Sequence, residues 1–275
     1  MDKIAQGFCE VKNPFNQKVE RVSLALDDVD GFVFWSRNYS PMIDNLKKLL
    51  DLGYRFYCQF TIIGYPGFID PGSPASAKSA QVAHRLFKEF GPKTVVWRYD
   101  PIMLTSVTDA SWHIRNFTET LDQMEGATDT CVISFIDKYK KLDRNLFPLL
   151  KEHNVEYCNP SFGELESLAA QMREMAKEKG IEVTSCCEPE LDSNIIAPTS
   201  CVDIARLAHI VGTPHLPTGY AKAPTRTGCR CYQSKDIGAY DTCVLGCAYC
   251  YANSSSGRSS QNLKKMEKNS ALLAP

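Results

Sequence analysis

The chain has 275 residues, with 31 Lys and Arg against 32 Asp and Glu, a formal charge of −1 and 44% hydrophobic residues. That length and composition give one large domain, or one domain with a small appendage, and enough apolar surface for a sizeable core. The charge balance argues against a dedicated electrostatic binder of nucleic acid or anionic membrane, and no stretch reaches the roughly 18–20 apolar residues of a membrane helix. The opening MDKIAQGFCEVKNPFN contains no apolar signal-peptide core, so the expected location is the cytoplasm.

In chain order, the predicted strands are VERVSLAL (19–26), FVFWSR (32–37), YRFYCQFTIIG (54–64), TVVWRYD (94–100), TCVISFID (130–137) and IEVTSC (181–186). Several are apolar on both faces, the pattern of strands buried inside a parallel sheet. Helices are predicted between them. SPMIDNLKKLLDLG (40–53) has Ser40 as its cap, Pro41 in its first turn and Gly53 as its stop. SPASAKSAQVAHRLFKEFG (73–91) repeats that grammar from Ser73, a third helix runs 108–125 from Thr108, and FGELESLAAQMREMAKEKG occupies 162–180. Alternation of strand and helix implies right-handed crossovers and a parallel sheet. With five or six such units, the α/β fold class expected is a partial (β/α) barrel of TIM type rather than a doubly wound sheet.

Beyond 187 the pattern dissolves into an irregular Cys-rich C-terminal segment, with one short helix predicted in PTSCVDIARLAHIVG (198–212). The expected organisation is a barrel over 1–186, the Cys-rich segment over 187–253 and a mobile Ser/Lys-rich tail over 254–275. His84 and His113 fall in predicted helices and are expected on their surfaces.

The cysteine distribution is uneven. Cys9, Cys58, Cys131 and Cys158 sit in apolar contexts and read as core packing. The remaining eight of the twelve crowd into the last 90 residues. A cytoplasmic chain with its own core has no need of disulfides, so the crowding reads as metal binding. The most specific feature is CVLGCAYC (243–250), which sets Cys243, Cys247 and Cys250 as Cys-x3-Cys-x2-Cys. Thiolates suit iron–sulfur clusters and zinc. Structural zinc takes four protein ligands, whereas a cubane held by three cysteines keeps one iron open. Gly246 lets the loop fold tightly, and Tyr249 offers a flat surface beside the metal. The competing readings are a three-thiol half of a zinc site and incidental thiols. A second set, Cys186, Cys201, Cys229 and Cys231, has the four sulfurs of a closed shell; its competing reading is buried reduced thiols.

The spacing, with an aromatic before the third cysteine, resembles the cluster motif of radical S-adenosylmethionine enzymes. The whole chain resembles a bacterial family of unknown function that carries this motif near its C-terminus. The stretches that carry the resemblance are NPFN (13–16), FWSRN (34–38), QFTIIGY (59–65), VVWRYDPIML (95–104), CVISFID (131–137) and SKDIGAYDTCVLGCAYCYAN (234–253). That family usually opens with an extra strand ending in Ser-Arg-Arg-Thr-Asp. This chain lacks it, so either the barrel is one strand short or translation starts upstream.

The resemblance implies a radical S-adenosylmethionine enzyme with a 4Fe–4S cluster on Cys243, Cys247 and Cys250. Its open iron would bind the amino and carboxylate groups of S-adenosylmethionine. Reductive cleavage would then give a 5′-deoxyadenosyl radical that abstracts hydrogen from a substrate, with a flavodoxin- or ferredoxin-type protein as electron donor. The family has cysteines matching Cys186, Cys201, Cys229 and Cys231, which implies an auxiliary 4Fe–4S cluster, with zinc as the alternative.

In a barrel the chemistry sits at the C-terminal strand ends. Polar candidates there are Ser36, Arg37 and Asn38, Gln59 and Thr61, Arg98 and Asp100, Ser134 and Asp137, and Glu188. Period-two alternation puts Arg98 and Asp100 on one face of an apolar strand, either as an ion pair or facing a polar cavity. Similar Arg-x-Asp-Pro strands occur in relatives of spore photoproduct lyase. Arg98 would clamp the S-adenosylmethionine carboxylate, and Gln59 and Thr61 would bond its ribose. Two other functions fit the thiols: a zinc-binding module that recognises protein or nucleic acid, and an iron–sulfur redox or sensor protein without S-adenosylmethionine chemistry.

Overall fold

Five of the six predicted strands pair in chain order in the computed structural model, which describes residues 1–275 except 14–15, 192–193, 214–218, 266–269, 271 and 273–275. They are β3 (Phe32–Ser36), β4 (Phe56–Thr61), β5 (Val95–Ile102), β6 (Thr130–Phe135) and β7 (Glu182–Ser185). The two-residue β8 (Ala197–Pro198) adds a sixth, every pairing is parallel, and the order never reverses. Helices α2 (Ile43–Asp51), α3 (Ser76–Phe90), α4 (Ala110–Met124), α5 (Lys140–Glu152) and α6 (Phe162–Glu178) lie between the first five strands. The protein is therefore an α/β fold on a parallel sheet flanked by helices.

The strands are apolar on both faces because both faces are covered, and period two divides them. Phe56, Cys58 and Phe60, then Val95, Trp97 and Tyr99, then Cys131, Ile133 and Val183 belong to the large core shared with α2 to α6. Trp97 stacks on Phe117 of α4 with centroids 5.0 Å apart, about 0.5–1.5 kcal/mol beyond the area buried. The alternate residues Tyr57, Val96 and Val132 meet Leu207 and Ile210 of α7 (Ile204–Val211) on the opposite face. Arg206 of α7 fixes that docking by donating to Lys93 O at 2.8 Å and Thr130 Oγ1 at 2.7 Å.

Several expectations are corrected. Val19–Ser23 is β2 of a two-stranded antiparallel hairpin with β1 (Phe8–Lys12), outside the parallel sheet; four of its five residues are exposed and Val22 is half-buried, so neither face is covered as a strand inside a parallel sheet would be. Ser40 lies in a short 3-10 turn before α2, and α3 starts beyond Ser73 with no side-chain cap. Helix α4 is capped by Asp109, which accepts from Trp112 N, rather than by Thr108. Asp203 caps α7 in the same way, accepting from Ala205 N at 2.9 Å. Helix α5 was not predicted, since Pro148 stands inside it. A further helix joins it, α8 (Ser256–Lys265), inside the stretch expected as a tail, and a short helix, α1 (Asp2–Gln6), follows Met1. His113 is fully buried, not on a surface: it bridges Tyr99 OH and Met103 O, both at 3.0 Å. Among the described residues, no helix is long and apolar enough to cross a membrane.

Candidate metal centres

All twelve cysteines are free. Cys9, Cys58 and Cys131 are fully buried in the core, as their apolar contexts predict, whereas Cys158, expected there too, is only half-buried. The other eight gather at the C-terminal ends of the strands and on the face covered by α7.

The loop 243–250 is docked at the C-terminal end of the sheet by backbone and side chain together. Gly72 N donates to Leu245 O at 2.9 Å and Ala248 N to Ile69 O at 2.9 Å, so the chain after β4 holds the loop like a strand edge. A side chain at Gly72 would stand 2.5 Å from Leu245 O, so only glycine allows this approach. Gly246 takes φ +73°, the left-handed conformation in which glycine carries no steric penalty. From the segment after β6, the Tyr139 hydroxyl donates to Tyr249 O and Lys141 to Tyr251 O.

The deepest anchor is Tyr249. Its hydroxyl donates to Asp70 Oδ2 at 2.6 Å, and Arg37, just past β3, donates to the same oxygen at 2.7 Å and to the tyrosine hydroxyl. The Arg37 guanidinium lies 5.3 Å from the Tyr249 ring centre, and Tyr65 meets the ring edge-on at 5.7 Å. Arg37 and Tyr249, two of the predicted site residues, are thus brought together as a latch beside Cys247. The Tyr249 ring is packed on these neighbours rather than presented as a free flat face. Asp70 was missed in the sequence, where it stands in the aperiodic loop GYPGFIDPGSP; only the need of a buried Arg37 for a carboxylate could have found it. The Asp70 side chain is 1% exposed, and its Oδ1 is buried without an N–H or O–H donor.

Cys247 and Cys250 sit one turn apart, with Cys250 N donating to Cys247 O at 3.1 Å, while Cys243 is exposed and its carbonyl accepts from Asn253 at 2.6 Å. Burial pushes the Cys247 thiol up to about 12, Arg37 pulls it down, and Asp70 and Cys250 push it further up.

The four-thiol set converges from distant stretches. Cys186 directly follows β7 and Cys201 comes three residues after β8, so the parallel pairing of those strands brings their sulfurs to 3.0 Å. Cys229 and Cys231 arrive on a turn in which Ala223 N donates to Cys231 O at 2.9 Å and Gln233 N to Ala221 O at 2.9 Å. Val202 N donates to Cys231 Sγ at 3.4 Å, and side-chain hydrogen bonds link Cys201 to Cys231 and Cys231 to Cys229. Burial would raise Cys229, but hydrogen bonds from Thr225 and Cys231 outweigh it and bring the thiol to about 7. Among the described residues, no three Cys, His, Asp or Glu side chains are spaced as ligands of one metal ion. The 3.0 Å contact is one reason: it lies between a disulfide of about 2.05 Å and the roughly 3.8 Å edge of a tetrahedral zinc–thiolate site. The donor chemistry and the convergence fit a thiophilic metal centre; the spacing is that of free thiols in contact.

Of the remaining predicted residues, Arg98 and Gln59 contact this second set, and Asp100 is joined to it through Arg98. Arg98 is 6% exposed and donates to Asp100 Oδ2 at 2.7 Å, to Gln59 Oε1 at 3.4 Å and to Cys201 Sγ at 3.1 Å. It pairs with Asp100 rather than standing free for a ligand carboxylate, and Ser134 donates to the other Asp100 oxygen. Gln59 donates to Cys201 O at 2.9 Å. Thr61 is half-buried beside Arg98 in the β4–β5 register. Glu188 accepts from Phe135 N at 2.8 Å, and burial, against that bond, raises its carboxyl to about 7. Ser36 and Asn38 close a local turn, and Asp137 pairs with Arg226.

A family model described as a domain of unknown function, DUF1848, matches residues 1–252, a stretch that takes in the parallel sheet and both cysteine sets. The chain belongs to the DUF1848 family. No curated protein and no solved structure matches it. Within this family the match ends just after the cysteine loop, so α8 lies outside the shared region.

Proposed function

We propose that this DUF1848 protein is a radical S-adenosylmethionine enzyme on a partial (β/α) barrel, with Cys243, Cys247 and Cys250 as ligands of a 4Fe–4S cluster. The observation that carries the reading is the docking of the Cys-x3-Cys-x2-Cys loop onto the chain that follows β3, β4 and β6. In a barrel that end of the sheet is where chemistry is done. The unreversed order of six parallel strands supports a barrel arc over a doubly wound sheet, whose order turns back at a switch point.

When bound, such a cluster supplies one electron to cleave S-adenosylmethionine reductively, giving methionine and a deoxyadenosyl fragment able to take hydrogen from a substrate. The chain's own residues fix and shield that chemistry. Arg37 and Asp70 hold Tyr249 and thereby the spacing between Cys247 and Cys250. Asp70 Oδ1, buried and short of a donor, is an acceptor for a cationic group beside Cys247. Tyr65, stacked on Trp112 at 5.8 Å, walls the latch from water. Cys186, Cys201, Cys229 and Cys231 hold a second metal centre, an auxiliary 4Fe–4S cluster in preference to zinc, and a flavodoxin- or ferredoxin-type protein delivers electrons.

The test is anaerobic reconstitution with iron and sulfide, followed by dithionite reduction with S-adenosylmethionine. The reading expects brown protein that forms 5′-deoxyadenosine and methionine. Colourless, zinc-loaded protein that forms neither overturns it.

A further inference from the structure

Arg98, an arginine held inside an apolar strand, reaches one of the four thiols directly. One of its nitrogens, Nη1, donates to Cys201 Sγ at 3.1 Å, while Nε and Nη2 are committed to Asp100. Cys201 is gripped at its other end as well: its carbonyl accepts from the Tyr57 hydroxyl at 2.5 Å and from Gln59 Nε2 at 2.9 Å. Gln59 in turn accepts from Arg98 at 3.4 Å. Three neighbouring inner-face residues of β4 and β5 therefore fix one cysteine, and the only cation among them points at its sulfur.

We propose that Arg98 is a positioning residue that sets the reduction potential of the four-thiol centre. This rests on the reading of Cys186, Cys201, Cys229 and Cys231 as iron–sulfur ligands. An N–H donated to a ligand sulfur, and a positive charge beside it, stabilise the more negative reduced cluster and raise its potential. Asp100 holds the guanidinium in place and satisfies the N–H groups that do not face sulfur. The pair is too deeply buried to exist for surface solubility, and a lone hydrophobic pair would pack that strand at less desolvation cost.

The test follows the EPR signal of the second centre in an anaerobic redox titration, using full-length protein in which Cys243, Cys247 and Cys250 are replaced by Ala so that only this centre contributes. Arg98→Met strands Asp100 as a buried unpaired charge, so Arg98→Met/Asp100→Asn is made beside it, with Arg98→Lys as the conservative variant. At the wild-type midpoint, the reduced-to-oxidised ratio should fall at least tenfold in the double variant, about 59 mV for one electron. Iron content should stay at the wild-type level, and Arg98→Lys should recover part of the shift. An unchanged potential in folded, iron-replete double variant overturns the role of Arg98. A four-thiol set that takes up zinc or no iron in the Ala background overturns the underlying reading instead.

Discussion

Asp70→Ala is the perturbation whose consequence is easiest to compute. Asp70 and Arg37 pair at 2.7 Å with side chains 1% and 11% exposed, and Tyr249 donates to the same carboxylate oxygen. Removing the carboxylate leaves Arg37 buried and unpaired and the tyrosine hydroxyl without its acceptor. Breaking a buried pair from one side costs about 3–5 kcal/mol. At about 2 °C per kcal/mol for a chain of this size, the melting temperature should fall by about 6–10 °C. The same change frees Tyr249, which stands between Cys247 and Cys250, so the loop should lose its docking before the sheet unfolds. Calorimetry, circular dichroism and iron analysis on anaerobically reconstituted protein read these effects together. The expected result is native secondary structure, the stated fall in melting temperature, and iron lost from the three-cysteine loop. An Asp70→Ala protein with wild-type melting temperature and full iron content would refute the latch.

Two further outcomes follow from the same structure. Gly72→Ala places a methyl group 2.5 Å from Leu245 O and 2.7 Å from Leu245 Cα, so it should displace the cysteine loop and lower iron retention while leaving circular dichroism unchanged; unchanged iron would show that the loop tolerates a looser seat. His113 is fully buried and burial lowers it to about 4 from an ordinary value near 6.5. Its bond to Met103 O requires the proton on Nε2, leaving Nδ1 to accept from Tyr99. The unfolded chain binds a proton that the folded one refuses. Stability is therefore complete above about pH 6.5 and is lost as pH falls toward 4, by about 3 kcal/mol. Denaturant titrations across that window should show the slope in the wild type and its loss in His113→Gln; equal slopes would place the titration elsewhere.

The parallel strands were legible because burial on both faces leaves a nearly continuous apolar run, as in TCVISF, and α6 was legible from its helical periodicity and closing Gly180, although the Ser161–Glu164 box that caps it was not read. The hairpin was not assigned because Val19–Ser23 runs on into Leu24–Leu26 and was read with it as one more strand of the sheet, whereas Val19 and Val22 fall on opposite faces and four of the five strand residues are exposed. Helix α5 was hidden by Pro148, whose cost tertiary packing of Leu142, Leu146 and Leu150 offsets. At the site, the cysteines were legible from type and spacing. Their partners were not, since pairing depends on topology: Arg37 meets Asp70 across 33 positions, and Arg98 meets Cys201 across 103. Period-two reasoning put Arg98 and Asp100 on one face correctly. It had no means of telling that the face was covered by the Cys201 turn and α7.

The most direct measurement is EPR spectroscopy of the dithionite-reduced protein, in a background where Cys186, Cys201, Cys229 and Cys231 are replaced by Ala, before and after adding S-adenosylmethionine. The account predicts a 4Fe–4S signal whose g-values and line shape change on addition, because three sulfurs leave one iron able to take the ligand. A signal that S-adenosylmethionine leaves untouched, or no iron signal in a folded protein, would contradict it.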